Sequence, residues 1–243
     1  MLLARRAINA IIGRWGYELK DKAQPPRGFD GFILYLRSRG FRPDTVIDVG
    51  IGTGTPWLYD GFPEAHFELF EALDIFVPDM ERICRQLNAR YHVVALGAEP
   101  RHTYMDVNTK MPMDSTMAGF SPSLSLLEGS HALQIDRRRV EVRRLDDFGP
   151  FDGSILLKLD VEGTEIEVLR GASATLARTE VIISEISIVK RHNEDVTFGT
   201  FISYVESLGF SLIDFPQLTP LRRNGALAYV DAAFVRTNSP LRR

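Results

Sequence analysis

The sequence predicts an α/β protein whose doubly wound sheet is mostly parallel, and two observations support this fold class. First, short and continuously apolar runs alternate with segments of helical periodicity over most of the 243 residues. Parallel strands that are covered by helices on both faces have this pattern. Second, the apolar run at residues 46–49 leads into glycines at alternate positions and then into a helical segment. Turns of this kind lie at the carboxyl edge of such sheets, where ligands bind.

The individual elements follow from apolar periodicity and from the positions of glycine and proline. Two helices are expected ahead of the sheet, over the first fifteen residues and over residues 31–39. They form a predicted N-terminal helical extension at residues 1–44, before the domain at residues 45–243. Buried strands are predicted at residues 46–49, 66–71, 91–96, 154–160 and 181–186, and helices at 53–61, 75–88, 164–176 and 198–208. Alternating β-branched residues predict a strand pair at 102–107 and 140–145 with a Ser-rich connection at 114–129, and an antiparallel closing pair at 210–215 and 228–235.

Composition and charge limit the classes of function. With 44% hydrophobic and 25% charged residues, the chain has the composition of an ordinary folded protein rather than a disordered one. A net charge of -3 gives no overall attraction for nucleic acid, so nucleic acid is not an expected partner. The single cysteine, Cys84, excludes an internal disulfide, and a cytoplasmic location is predicted. The first twenty residues have no long apolar core or small-residue cleavage site, so no signal peptide is expected. No apolar run reaches about 18 residues, so no membrane span is expected.

The first predicted helix is amphipathic and allows two interpretations. Its apolar stripe contains Leu3, Ala7, Ile8, Ile11, Ile12 and Trp15. In the first interpretation, the stripe packs on the domain. In the second, residues 1–20 make peripheral contact with an anionic membrane or with a partner, using the flanking arginines. Both interpretations stay open, and the sequence pattern does not determine an oligomeric state.

The glycine turn carries the strongest functional signal. The glycines that follow the first predicted strand are Gly50, Gly52 and Gly54. Glycine lets such a turn adopt positive φ angles and lets a ligand approach the main chain, while the next helix offers free N–H groups. Asp48 is expected to orient the turn, or to bind the ammonium group of a ligand with an amino-acid tail. A nicotinamide-dependent oxidoreductase or epimerase is disfavoured, because its G-x-G-x-x-G motif would need glycine at Thr55 or Trp57.

Charged residues also lie at the ends of two other predicted strands. Glu71 ends the second strand, where a carboxylate is placed to accept hydrogen bonds from both hydroxyls of a ribose. Lys158 and Asp160 interrupt the apolar strand at residues 154–160, and Glu162 follows it. Buried charges are costly unless they are paired or used. We therefore expect an ion pair of Lys158 with Asp160 or Glu162 beside the glycine turn.

Taken together, these residues resemble the FkbM-type methyltransferases, a family of S-adenosylmethionine-dependent O-methyltransferases. The most characteristic segment is Lys-Leu-Asp-Val-Glu-Gly-Thr-Glu at residues 158–165, followed by Val-Leu-Arg-Gly-Ala at 168–172. Supporting matches are Asp48-Val-Gly50, Glu71, Ala95-Leu-Gly97, Leu145-Asp146 and Glu185. The resemblance covers about residues 45–215. It departs from the family at Ile51-Gly52, where Ala-Asn is usual, and at Ala72, where proline is usual.

The resemblance implies a Rossmann-like class I methyltransferase sheet that binds S-adenosyl-L-methionine. The residues it assigns to the cofactor are Asp48, Gly50, Gly52, Gly54, Glu71, Ala72, Leu96 and Asp160. Asp160 is expected to face the methyl donor, and the residues expected to position or deprotonate the acceptor are Glu162, Glu185 and His192. The implied acceptor is a hydroxyl on a sugar, glycolipid or secondary metabolite.

No resident metal is expected in the candidate site. Asp160 and Glu185 have the chemistry of oxygen ligands, but their spacing in the sequence is not diagnostic of a metal site. Both ends of the sequence are basic: residues 1–45 carry nine Lys and Arg against four acidic residues, and the segment after Phe215 carries five Arg against Asp231. A non-catalytic module that binds a partner through these basic ends is the remaining alternative, since a fold does not by itself imply an activity.

Overall fold

The computed structural model describes residues 28–108, 135–188, 197–220 and 227–242, together with Ile8 and Arg14. Apart from those two residues, the first predicted helix lies outside the described residues. The predicted connection at residues 114–129 and the candidate His192 lie outside them as well.

The strands of the described chain form two sheets. They are β1 (Thr45–Val49), β2 (His66–Glu71), β3 (Ala89–Val93), β4 (Ala95–Leu96), β5 (Arg101–Asn108), β6 (Ile135–Arg143), β7 (Ile155–Leu159), β8 (Thr179–Ser187), β9 (Phe210–Pro220) and β10 (Leu227–Arg236). The larger sheet has the order β3-β2-β1-β7-β8-β10-β9. Its pairs from β3 to β8 are parallel, whereas β10 is antiparallel to both β8 and β9. The predicted doubly wound, mostly parallel sheet with an antiparallel closing strand is confirmed.

Helices cover both faces of this sheet. They are α1 (Phe29–Ser38), α2 (Pro56–Gly61), α3 (Val77–Cys84), α4 (Glu165–Arg170), α5 (Ser173–Leu176) and α6 (Phe198–Ser207). Side chains of α1, α2 and α3 share one buried cluster with the sheet, and those of α4, α5 and α6 share another. All five residues of β1 are buried as a result. Burial of each large apolar side chain stabilises the fold by roughly 1.5–3 kcal/mol.

Local signals explain where the helices beside the sheet begin. Pro56 is the first residue of α2, a position where its missing N–H costs nothing. The Thr197 hydroxyl caps α6 by accepting a hydrogen bond from the Thr200 amide, with an N···O distance of 3.2 Å. Every helix in the described part of the chain is too short or too polar to cross a bilayer.

The smaller sheet packs beside the carboxyl end of β2. Its order is β4-β6-β5, and β5 and β6, which the sequence predicts to pair, are antiparallel. Val107 and Val140 from this sheet share a small apolar cluster with Leu73 and Phe76, which follow β2. The smaller sheet therefore supports the segment that follows Glu71.

Several predicted elements were wrong in their extent, among them the strand predicted at residues 140–145, which is β6 at Ile135–Arg143. The strand predicted at residues 91–96 is two strands, because the chain leaves β3 after Val93 and pairs Ala95 with Val142 in the smaller sheet. The helix predicted at 164–176 is interrupted at Gly171, where a Cβ would lie 2.1 Å from the carbonyl oxygen of Gly97. The helix predicted at 75–88 starts as a 3-10 turn at Asp74–Phe76 and continues as α3 only to Cys84.

Candidate active site

The glycine turn, residues 50–54, joins β1 to α2 with the backbone conformation that the sequence predicts. The φ angle is 73° at Gly50, 51° at Gly52 and 119° at Gly54, and residues with a side chain rarely adopt such values. A Cβ on Gly50 would lie 1.8 Å from the carbonyl oxygen of Asp160. A Cβ on Gly52 would meet no heavy atom of the described residues within 4 Å. The turn therefore packs tightly against the chain after β7 at Gly50 and has free space at Gly52.

Glu71 ties the end of β2 to this turn. One carboxylate oxygen accepts a hydrogen bond from the Gly52 amide at 3.0 Å, and the other accepts one from the Leu73 amide at 3.1 Å. Only 8% of Glu71 is exposed, and burial raises its pKa above the usual range although both amides oppose the shift. Each carboxylate oxygen has a second lone pair. Glu71 can therefore hold the turn and still accept hydrogen bonds from a ligand.

Asp48 is completely buried in β1, directly before the turn. Its Oδ2 accepts a hydrogen bond from the Tyr59 hydroxyl at 2.9 Å. Its Oδ1 has no hydrogen-bond partner among the described residues and makes an ion pair with Lys158, with an N···O distance of 3.2 Å. Burial and the neighbouring Asp48 charge both raise the pKa of Tyr59, so this phenol stays a neutral donor. Of the two roles predicted for Asp48, orientation of the turn fits its burial better.

Lys158 joins Asp48 to the residues after β7. Its ammonium donates a hydrogen bond to the carbonyl oxygen of Gly50 at 3.0 Å and lies 3.5 Å from Oδ2 of Asp160. Burial alone would lower the pKa of Lys158, but the charges of Asp48 and Asp160 outweigh burial and raise it. Lys158 is therefore protonated. The predicted ion pair with Asp160 is confirmed, and its partnership with Asp48 is an addition that the sequence did not indicate.

Three of the four predicted catalytic residues meet at the carboxyl ends of β7 and β8. One carboxylate oxygen from each of Asp160, Glu162 and Glu185 lies within 4.8 Å of the others. Asp160 and Glu185 are half-buried, whereas Glu162 is exposed and has a φ angle of 55°. Carboxylates at this spacing can accept hydrogen bonds from one polar ligand or act as oxygen ligands of a divalent cation.

Two other acidic residues near this group were not among the predicted site residues. Asp231 in β10 lies opposite Glu185 in the strand register. Burial and the charge of Asp160 raise the pKa of Asp231 to about 7, although Lys158 opposes the shift. Glu165 begins α4 and accepts a hydrogen bond from the Gly163 amide at 2.9 Å. Burial, with help from Asp160 and Glu162, raises the pKa of Glu165 to about 7 against the effect of that amide.

Two of the remaining predicted residues, Ala72 and Leu96, lie in apolar surroundings. Ala72 directly follows Glu71 and packs against the apolar cluster beneath the smaller sheet. Leu96 is buried in β4, in the core shared with α4, α5 and α6. The roles predicted for Ala72, Leu96 and His192 stay predictions.

The strand order and the glycine turn define the class of protein: they are those of the class I methyltransferase sheet. The chain belongs to the FkbM methyltransferase domain family, whose model, described as "Methyltransferase FkbM domain", matches residues 53–212. The resemblance identified from the sequence motifs is thereby confirmed.

Individual relatives are more distant. Methyltransferase 1 of Beauveria bassiana (strain ARSEF 2860) is 25% identical over 197 residues, which cover 72% of this chain and 76% of the relative. Magnesium protoporphyrin IX methyltransferase (ChlM) from Synechocystis PCC 6803, solved with bound S-adenosylmethionine, has a TM-score of 0.47 and 14% identity over 86% of this chain and 77% of its own. The N-methyltransferase NodS from Bradyrhizobium japonicum WM9, solved with S-adenosylhomocysteine, has a TM-score of 0.45 and 8% identity over 85% of each chain.

Proposed function

We propose that this methyltransferase uses S-adenosylmethionine to methylate a hydroxyl group on a sugar, glycolipid or secondary metabolite. One observation carries the proposal. The glycine turn and its partner Glu71 lie at the same edge of the sheet as the carboxylates of Asp160, Glu162 and Glu185. Asp160 belongs to this acidic group, and its main-chain carbonyl lies against Gly50 of the turn. A donor-binding turn and an acceptor-binding group are therefore neighbours.

The residues of the turn fit the proposed cofactor. Free space next to Gly52 lets a ligand approach the main chain, which a side chain at this position would obstruct. The Glu71 carboxylate retains lone pairs for ribose hydroxyls. When bound, S-adenosylmethionine supplies an electrophilic methyl group on a positively charged sulfur. The carboxylates of Asp160 and Glu71 favour a cationic ligand over an anionic one, which supports this cofactor over one that carries a pyrophosphate.

The acidic group defines the chemistry of the acceptor side. Carboxylates accept hydrogen bonds from hydroxyl groups, so Asp160, Glu162 and Glu185 can orient a polyhydroxylated acceptor. Glu162 and Glu185 can also take the hydroxyl proton as the acceptor oxygen attacks. Alignment of acceptor and donor contributes much of the rate of such displacements. An acceptor that carries phosphate or carboxylate would be repelled by this group of like charges.

A calorimetric titration with S-adenosylmethionine and S-adenosylhomocysteine tests the cofactor. We expect the parent protein to bind both, and Glu71→Ala to weaken binding at least tenfold, because the ribose anchor and the tie to Gly52 are lost together. Glu180→Ala is a matched control, since Glu180 lies near the start of β8, at the opposite edge of the sheet. Equal binding by parent and Glu71→Ala would contradict the assignment of Glu71. Binding of NADH instead of S-adenosylmethionine would overturn the cofactor proposal.

A methyl-transfer assay with isotopically labelled donor tests the acceptor class. Neutral sugars and glycolipids with free hydroxyls are expected to accept label, and phosphorylated forms of the same sugars are expected to accept less. Label that appears only on amines or on carbon would contradict O-methylation.

The proposed glycolipid acceptor leaves a role for residues 1–20 at a membrane surface. Charge reversal at Arg5 and Arg6 is expected to remove binding to anionic liposomes if these residues make peripheral contact. Unchanged binding of the reversed variant, or no binding by the parent, would contradict that contact.

A further inference from the structure

Lys158 occupies an unusual position for a charged residue. It is the fourth of the five residues of β7, between the apolar Leu157 and Leu159, and only 6% of it is exposed. Long charged side chains in cores normally extend to solvent unless partners hold them inside. Here three oxygen atoms lie around the ammonium group, at 3.0 Å, 3.2 Å and 3.5 Å.

The three oxygens come from three separate parts of the candidate site. The nearest is the carbonyl of Gly50 in the glycine turn, the second is the carboxylate of Asp48 in β1, and the third is the carboxylate of Asp160 after β7. A single ammonium thus contacts the turn on the proposed cofactor side and a carboxylate on the proposed acceptor side. An ordinary ion pair would link the ammonium to one carboxylate only and would make no contact with the glycine turn.

The contact with Gly50 matters because of the backbone around it. The Asp160 amide donates a hydrogen bond to the carbonyl of Val49 at 3.0 Å, and the Asp160 carbonyl lies against Gly50. The two chains are therefore already adjacent at the main chain. Lys158 adds a second link, because its ammonium contacts both the Gly50 carbonyl and the Asp160 carboxylate.

We propose that Lys158 is the positioning residue of this site: its ammonium holds the glycine turn and the Asp160 carboxylate in the geometry that binds the cofactor, and it balances the buried charge of Asp48. The inference rests on the proposed function for the identity of the cofactor. Lys158 itself does not act on the reacting groups. One ammonium opposite two carboxylates leaves a single net negative charge, which suits a cationic methyl donor.

The test combines a binding measurement with a local measurement of backbone order. In Lys158→Met, we expect S-adenosylhomocysteine to bind at least tenfold more weakly than to the parent. We also expect faster amide hydrogen exchange in the peptide that contains residues 50–54, with unchanged exchange in β8. A role limited to global stability would instead accelerate exchange in both peptides.

Two further variants complete the design. Arg178→Met is the charge-matched control, because Arg178 is exposed and hydrogen-bonds the Gly153 carbonyl beyond the amino end of β7. It should leave both readouts unchanged. If Lys158→Met does not fold, Lys158→Met with Asp48→Asn is compared with Asp48→Asn alone, so that only Lys158 differs between the two; removal of a complete buried ion pair is tolerated better than removal of one partner.

The outcomes separate this inference from the proposed function. A folded Lys158 variant that binds S-adenosylhomocysteine within about twofold of the parent, or that exchanges normally at residues 50–54, overturns the positioning role. A parent that binds neither S-adenosyl ligand overturns the cofactor proposal. In that case the exchange measurement alone still decides whether Lys158 orders the turn.

Discussion

The main chain of Gly50 lies directly against that of Asp160. A Cβ on Gly50 would lie 1.8 Å from the carbonyl oxygen of Asp160, which leaves no room for a side chain. β1 and β7 are adjacent parallel strands, so the residues that follow each of them emerge side by side. The absence of a side chain at Gly50 allows this approach. The proposed donor and acceptor groups are close together for this reason.

Substitution of Gly50 should be far more damaging than substitution of Gly52. Gly50→Ala combines a left-handed backbone angle with a collision against backbone that cannot rotate away, and we expect a loss of at least about 2 kcal/mol in the free energy of unfolding. Gly52→Ala has a similar backbone angle but free space around the new methyl group, so only about 1 kcal/mol is expected. Urea unfolding of the two variants measures the difference. Equal losses in the free energy of unfolding would show that the contact with Asp160 does not restrict substitution at Gly50.

The raised pKa of Glu165 should make stability depend on pH. Its pKa is about 7 in the folded protein and 4.5 without the protein environment, so the folded state binds the proton more tightly. The tighter proton binding contributes to the free energy of unfolding; this contribution is complete below pH 4.5 and is lost as the pH rises through about 7. Its full size is up to about 3 kcal/mol.

Glu165→Gln tests this dependence, because glutamine keeps an oxygen for the Gly163 amide but does not titrate. In urea unfolding, the free energy of unfolding of the variant minus that of the parent should increase as the pH rises from 5 to 8, because only the parent loses the contribution of Glu165. Asp231 shifts in the same direction, so part of the slope should persist. A constant difference between variant and parent across this range would contradict the assignment.

Chelation should leave methyl transfer unchanged. Asp160, Glu162 and Glu185 have the spacing of cation ligands, but the ammonium of Lys158 already lies 3.5 Å from the Asp160 carboxylate and opposes a second positive charge there. The measurement is turnover before and after treatment with EDTA, followed by addition of Mg²⁺. Activity that is lost with EDTA and restored by Mg²⁺ would assign a divalent cation to these carboxylates.

Removal of the Asp146 side chain should affect stability but not ligand binding. Asp146 accepts hydrogen bonds from the amides of Ala174 and Thr175 at the start of α5, and from the Thr175 hydroxyl. Asp146→Ala is expected to cost about 1–2 kcal/mol in unfolding free energy, as for other capping residues. Binding of S-adenosylhomocysteine should stay within twofold of the parent. A tenfold loss of binding would place Asp146 in the functional site.

Most of the main sheet could be predicted because its central strands β1, β2, β7 and β8 are largely buried and appear in the sequence as apolar runs between helical segments. The glycine turn was predictable for a similar reason, since its positive φ angles require a local sequence signal. The break at Gly171 was not predicted; at this position the chain lies against Gly97, a contact between residues distant in the sequence that local periodicity does not indicate.

The same distinction applies to the site. Asp48, Glu71 and Asp160 lie at strand ends, and parallel strands bring such positions together. Asp231 gave a weaker signal, a single acidic residue within an apolar strand. Its position opposite Glu185 depends on the register of β10 against β8, which the sequence does not specify.

The late position of β7 in the chain has a consequence for folding during synthesis. Lys158 and the Gly50 carbonyl are separated by 108 residues, and β7 pairs with β1 on one side and β8 on the other. A ribosome-bound chain that ends before β7 contains the glycine turn but lacks the neighbour that orders it. Pairing over such sequence distances is slow, because loop closure precedes any gain from contact. The edge of the sheet that carries the glycine turn is therefore completed only after β7 has been synthesised.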